Sequence, residues 1–202
     1  MKFAVILAHP KTGSLNAQIA RTAVERLVAL GHDVIMRDLY GMAFDPRLSA
    51  DELPFAPDSA PAPDAENERH RLADRDGFVF VYPLWFNSAP AILKGFIERV
   101  FGLGFGYKAL LGGGTRPALS GKLLLSFSTS GAPDHWMDSS GALKILLDGF
   151  DNYLGQVTGL KVLEHRHFGG IVPGITGEAV ADVLDEVRDT LTHALSRELA
   201  PT

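Results

Sequence analysis

The stretch Val81-Tyr-Pro-Leu-Trp-Phe-Asn-Ser-Ala-Pro-Ala-Ile-Leu-Lys-Gly-Phe-Ile-Glu-Arg-Val-Phe101 joins the end of a buried strand to an amphipathic helix. Phe78, Val79, Phe80 and Val81 form a continuous apolar run, the pattern of a parallel strand covered on both faces. Pro83 has no amide hydrogen for a neighbouring strand, so it predicts the end of the ladder. Pro90 suits a first helical turn, and Ile92, Phe96, Ile97, Val100 and Phe101 then recur with helical spacing. The turn from Leu84 to Ala89 therefore lies at a strand's carboxyl end, the edge at which open α/β sheets bind ligands.

Outward from this stretch, strand and helix alternate along the whole chain. Phe3 to Ala8 predicts the first strand; Leu15, Ile19, Ala23, Leu27 and Leu30 mark one helix face, closed by Gly31. Asp33 to Leu39 predicts a second strand, and the proline-rich region from Gly41 to Ala65 a long loop. A short polar helix from Glu66 to Asp74 leads to the third strand. The glycine-rich Gly102 to Gly121 reads as irregular, Lys122 to Ser128 as strand four, Ala142 to Val157 as a helix and Val162 to Phe168 as strand five. Val180, Val183, Leu184, Val187, Leu191 and Leu195 share a face of a closing helix capped by Thr176. The expected architecture is α/β: one domain over residues 1–202, built as a doubly wound five-stranded parallel sheet with helices on both faces.

Bulk properties narrow the function classes. With 202 residues, 46% hydrophobic and 21% charged, the chain can bury one substantial core. A net charge of -5 without any Lys/Arg block points away from nucleic acid and anionic membrane surfaces. No apolar run is long enough for membrane insertion. The absence of cysteine removes disulfides and thiolate chemistry and fits a cytoplasmic location. The N-terminal apolar run is too short for a signal segment and reads as a buried strand.

Three polar clusters fall at the carboxyl ends of strands one, three and four. In the first, His9 to Asn16, residues Thr12, Gly13 and Ser14 offer amides and hydroxyls at a helix N-terminus, which suits a phosphate. The second, Pro83, Leu84, Trp85, Phe86 and Asn87, offers flat apolar surface with polar edges for a heteroaromatic ring. The third, Ser128, Thr129, Ser130 and Gly131, adds hydroxyls and a glycine that admits a ring close to the backbone. Any one of them alone reads more readily as helix capping than as a ligand site. Together, at neighbouring strand ends, they point to a cofactor site.

The motifs Leu7-Ala-His-Pro10 with Ser14-Leu-Asn16, Pro83 to Phe101, Phe105-Gly-Tyr107 and Ser126 to Gly131 resemble the flavin-dependent NAD(P)H:quinone oxidoreductases. Asp38-Leu-Tyr40 and Phe44-Asp-Pro46 resemble the same family's second strand and loop. The resemblance implies a flavodoxin-like fold and a homodimer with its active site at the subunit boundary. It implies ping-pong hydride transfer from NADPH or NADH through bound flavin, with FAD slightly favoured over FMN, to quinones or similar flat acceptors. It places His9, Leu15 and Asn16 by the flavin phosphate and ribityl chain, and Leu84 to Asn87 with Ser128 to Gly131 around the isoalloxazine. Tyr107 would line the acceptor cavity from the partner subunit. Trp136 and Ala142 stand where vertebrate-type members carry a relay Tyr and His, with His135 beside them; His135 and Trp136 are the remaining catalytic candidates.

Other chemistry finds less support. His165 and His167, two apart on one strand face, suggest either a metal site lacking a third ligand or, more readily, exposed or hydrogen-bonded side chains. Gly102-Leu-Gly-Phe-Gly106 follows a helix, the wrong context for a dinucleotide fingerprint, and neither a P-loop nor a Gly-x-Ser-x-Gly elbow occurs. The competing function class is a flavin-binding electron carrier, or a regulatory subunit of an ion-efflux system, without turnover of its own.

Overall fold

The structure is a computed structural model that describes residues 1–53, 60–110 and 114–199. Part of the proline-rich loop, 54–59, and residues 111–113 of the glycine-rich stretch lie outside the described residues. Five parallel strands, β1 (Lys2–Leu7), β2 (Asp33–Asp38), β3 (Gly77–Pro83), β6 (Leu123–Thr129) and β7 (Lys161–Phe168), form one sheet in the order β2-β1-β3-β6-β7. A two-stranded antiparallel ribbon, β4 (Tyr107–Ala109) with β5 (Thr115–Pro117), stands apart from it.

Every residue of β3 and β6 is buried, as expected of strands covered on both sides. On one face α1 (Leu15–Ala29) and α7 (Gly177–Leu199) pack Ile19, Ala23, Leu27, Leu191 and Leu195 against Val5, Val79, Leu125 and Phe127. On the other, α2 (Pro63–Leu72), α3 (Ala91–Val100) and α6 (Tyr153–Thr158) cover Phe78, Phe80 and Tyr82 with Leu72, Phe96, Val100 and Leu154. The architecture is the doubly wound, flavodoxin-like one expected from the alternation. Thr176 caps α7 by accepting from the Ala179 amide at 3.1 Å, and Gly31 takes a left-handed φ of 84° after α1. Among the described residues no helix is long and apolar enough to cross a membrane.

Three expectations need correction. The glycine-rich Gly102 to Gly121 is not wholly irregular but carries the β4–β5 ribbon, whose strands are too short to show a period. The helix expected over Ala142 to Val157 is interrupted: α5 (Ala142–Leu147) passes through a π-type turn, Asp148–Asn152, before α6. Asp151 inside this turn is fully buried, and an apolar period gives no sign of an extra residue per turn. Helix α2 begins at Pro63 rather than Glu66, because proline costs nothing at a helix start.

The long loop is fastened to α3. Gly95 lets it approach so closely that an added Cβ would sit 2.2 Å from the Pro46 carbonyl oxygen. Arg99, itself 4% exposed, donates to Glu52 at 3.0 Å and to Asp64 at 2.6 Å, and also to the Asp45 carbonyl.

Candidate active site

Strands β1, β3 and β6 are adjacent, so the three polar clusters fall on one rim of the sheet. Thr129, last residue of β6, gathers the other two. Its carbonyl accepts from the Leu84 amide at 2.7 Å and its hydroxyl from the Asn16 side-chain amide at 2.8 Å. Asn16 is 3% exposed, and its Oδ1 is buried without a partner among the described residues. Such an orphan acceptor costs stability unless a ligand or ordered water completes it.

At the first cluster Ser14 caps α1 by accepting from the Ala17 amide at 3.1 Å. The His9 ring accepts from the Lys11 amide at 3.0 Å, and partial burial holds that imidazole below its ordinary pKa. The amides of Thr12, Gly13, Leu15 and Asn16 have no hydrogen-bond acceptor among the described residues, leaving a group of donors at the positive end of a helix.

The second cluster is a tight turn. Trp85 and Ser88 exchange main-chain hydrogen bonds of 3.0 and 3.2 Å, and between them Phe86 and Asn87 hold φ values of 52° and 54°. Asparagine tolerates this left-handed region; phenylalanine there is strained. Phe86 is also fully exposed, and Trp85, 6.4 Å from the His9 ring, is half-exposed. The turn is tied down by Asn87, whose Nδ2 donates to the Ala142 carbonyl at 3.1 Å.

The third cluster divides. Ser130 and Gly131 leave the sheet at the rim, while the Ser128 hydroxyl turns inward and lies 2.7 Å from His165 Nε2 and 2.8 Å from His167 Nδ1. His167 Nε2 is 3.0 Å from the Ser130 hydroxyl, and His165 Nδ1 is 2.6 Å from Asp151, which also accepts from Ser126. The two histidines are thus each hydrogen-bonded, bridged by the Ser128 hydroxyl. Among the described residues no three His, Cys, Asp or Glu side chains converge as metal ligands. Asp151 carried no signal in the sequence, and Ser126 entered only through the motif Ser126 to Gly131; the spacing of His165 and His167 was the hint of an interior cluster. His135 and Trp136 lie on the short α4 (Asp134–Ser139), which follows the rim directly, and both are exposed.

Tyr107 stands elsewhere. With Ile97, Phe101, Phe150 and Tyr153 it lines a cavity of about 760 Å³ that includes no residue of the three clusters.

Comparison with known proteins agrees with this fold. Residues 1–191 match the family described by its flavodoxin-like fold. An NAD(P)H oxidoreductase of Haemophilus influenzae is 34% identical over 172 residues, covering 85% of each chain. NAD(P)H dehydrogenase [quinone] 1 of Cavia porcellus is 30% identical over 202 residues, covering 91% of this chain and 72% of its own. The solved NAD(P)H:quinone oxidoreductase from Methanothermobacter marburgensis superposes with a TM-score of 0.81 at 25% identity, over 100% of this chain and 98% of that one. The chain therefore belongs to the flavodoxin-like family of the NAD(P)H:quinone oxidoreductases, and it is an oxidoreductase of that family.

Proposed function

We propose that the protein reduces quinones or similar flat acceptors with electrons from NADPH or NADH, by a ping-pong sequence through a flavin held at the rim. When bound, a flavin would supply two-electron hydride chemistry between the nicotinamide and the acceptor. The observation that carries this reading is the convergence on Thr129 of the β1 and β3 loops, with Asn16 Oδ1 left as a buried, unfilled acceptor.

The residues present fit such a group. His9, Thr12, Ser14, Leu15 and Asn16 would hold its phosphate and ribityl chain with the free amides and hydroxyls at the start of α1. Pro83, Leu84, Trp85, Phe86 and Asn87 would wall and edge the ring, opposed by Thr129, Ser130 and Gly131, with Ser128 supporting them from below. Amides directed at the ring's polar edge would stabilise negative charge arising there. His135 and Trp136 would cover the outer side. We propose FAD as the flavin, and a homodimer in which Tyr107 and its aromatic neighbours close the acceptor site of the other subunit.

The test is direct. The purified protein, mixed with FAD or FMN, should become yellow, and mass spectrometry of the extracted cofactor identifies which is retained. Oxidation of NADPH with a quinone should exceed about one turnover per second, the lower bound of ordinary enzyme rates. A protein that binds neither flavin overturns the reading, and one that binds flavin without quinone-dependent turnover is the carrier or regulatory subunit instead. A fully active monomer would remove Tyr107 from the site.

A further inference from the structure

Six polar side chains run through an otherwise apolar layer, from beneath the sheet to the rim. Ser126 and Asp151 are at the inner end, then His165, Ser128, His167 and finally Ser130, which is partly exposed. The register makes the chain possible. An irregularity between Leu124 and Leu125 shifts β7 against β6, so that His165 and His167, not Glu164 and Arg166, lie opposite Ser126 and Ser128. The π-type turn then presents Asp151 to His165.

Donor and acceptor roles follow from the inner end. A carboxylate only accepts, so Ser126 and the Nδ1–H of His165 both donate to Asp151. With His165 neutral, its Nε2 accepts from the Ser128 hydroxyl, Ser128 accepts from Nδ1–H of His167, and His167 Nε2 accepts from Ser130. Every hydrogen points inward. With one more proton, His165 donates from Nε2 to Ser128, Ser128 donates to His167 Nδ1, and His167 donates from Nε2 to Ser130. Ser130 then turns its hydrogen to the Ala132 carbonyl, 3.2 Å away. Every hydrogen between His165 and Ser130 now points outward, and no heavy atom has moved.

We infer that Ser130, His167, Ser128 and His165 form a proton wire between the rim and a buried store at the His165–Asp151 pair. This rests on the reading of the rim as the place of quinone reduction. A hydride carries two electrons and one proton, and a quinone reduced to the hydroquinone takes a second proton. The wire supplies it. Ser130 releases its proton to the reduced acceptor's oxygen, His167 Nε2–H refills Ser130, Ser128 refills His167 Nδ1, and His165 Nε2–H refills Ser128. His165 is left neutral, and a proton from water entering at Ser130 restores it by the reverse hops.

A middle link must change tautomer without taking up charge, and burial meets that need by lowering the His167 pKa to about 4. The charged groups around the two rings are Asp151 on the π-type turn, Asp134 and Asp138 on α4 and Arg166 on β7; Tyr82 on β3 packs edge-on against His165 at 6.2 Å. The Tyr82 hydroxyl is itself buried without a partner among the described residues, beside Asp151.

The experiment is imidazole nitrogen NMR on the flavin-loaded protein as the pH is lowered. His167 should pass from the Nδ1–H to the Nε2–H tautomer in the same step that protonates His165. A His167 that keeps one tautomer through that step, or a His165 that stays neutral until the protein unfolds, overturns the wire. Ser128→Ala removes the central hydroxyl: His165 protonation should then leave the His167 tautomer unchanged, and oxidation of the reduced protein by quinone should slow about tenfold or more. Ser128→Thr should restore both, and coupling that survives in Ser128→Ala refutes the proposal. If that variant fails to fold, the wild-type spectra decide alone. The tautomer step in a protein that binds no flavin keeps the wire and removes the functional reading; flavin turnover without the tautomer step does the opposite.

Discussion

Asn16 and Thr129 are 113 positions apart, yet the Asn16 side-chain amide donates to the Thr129 hydroxyl at 2.8 Å with both residues buried. This bond joins the start of α1 to the end of β6 across the intervening strand, and it fixes the width of the rim between them. It also orients Asn16 Oδ1, which has no partner among the described residues.

Replacing Asn16 with alanine leaves the Thr129 hydroxyl without its donor in a dry site. Asn16→Ala should lower unfolding free energy by about 1–3 kcal/mol in urea titrations. Flavin affinity, followed by fluorescence quenching, should fall as well. A variant that holds flavin as tightly as the parent shows that the phosphate or ribityl chain lies elsewhere.

Phe86 combines a left-handed backbone with complete exposure, so the isolated chain gains nothing from its ring and is strained at its Cβ. Phe86→Gly should therefore stabilise the flavin-free protein by about 1 kcal/mol. The same change removes a wall of the site and should weaken flavin retention. Opposite signs for stability and binding are the signature to look for in parallel denaturation and titration experiments.

Arg99 neutralises a buried carboxylate. Burial pushes the Glu52 carboxyl up, but the amides of Ser49 and Ala62 together with Arg99 more than reverse this, and Arg99 directly lowers Asp64. Both carboxyls lie below their ordinary values when folded. Their stabilisation is therefore complete above the unfolded values near pH 4 and is lost as pH falls through the folded ones. Arg99→Met, which abandons Glu52 at 4% exposure, should cost about 3–5 kcal/mol at neutral pH. Urea midpoints measured from pH 7 to pH 3 should show the parent losing stability at the acid end and the variant losing less.

His167 has the opposite chemistry with the same sign. Burial lowers its pKa from 6.5 to about 4, so between those values the unfolded chain binds a proton that the folded one does not. Stability must fall as pH drops through that window, by up to about 1.4 kcal/mol per pH unit, and level off below it. His167→Gln should flatten this part of the profile. A profile unchanged by the substitution would show that the ring is protonated, or open to water, in the native protein.

The stretch from Val81 to Phe101 was enough to locate the strand-end rim of the candidate site, since a run of apolar residues, a proline stop and a helical period act through local rules. The same rules set the order of strands and helices, and adjacency of β1, β3 and β6 follows from the doubly wound winding. They also marked Asn16, Phe86 and Thr129 as rim residues. Local rules marked Phe86 as exposed but gave no account of its left-handed backbone, because that depends on how the Trp85–Ser88 turn closes.

The connection of Ser126, Asp151, His165, Ser128, His167 and Ser130 into one interior chain was not legible in the sequence. Its members come from β6, the π-type turn, β7 and the rim, and they meet because of two insertions that no periodicity reveals: a register shift between Leu124 and Leu125 and an extra residue in the turn around Asp151. Strand alternation alone would have set Glu164 where His165 stands. The sequence by itself determined the sheet, the rim where its polar clusters gather and the chemistry available there; the tertiary structure alone decided which buried hydroxyl faces which imidazole. The physical reason is that apolar periods encode which face of an element is dry, whereas a hydrogen bond depends on register to within a single residue, and register is settled only when the elements pack.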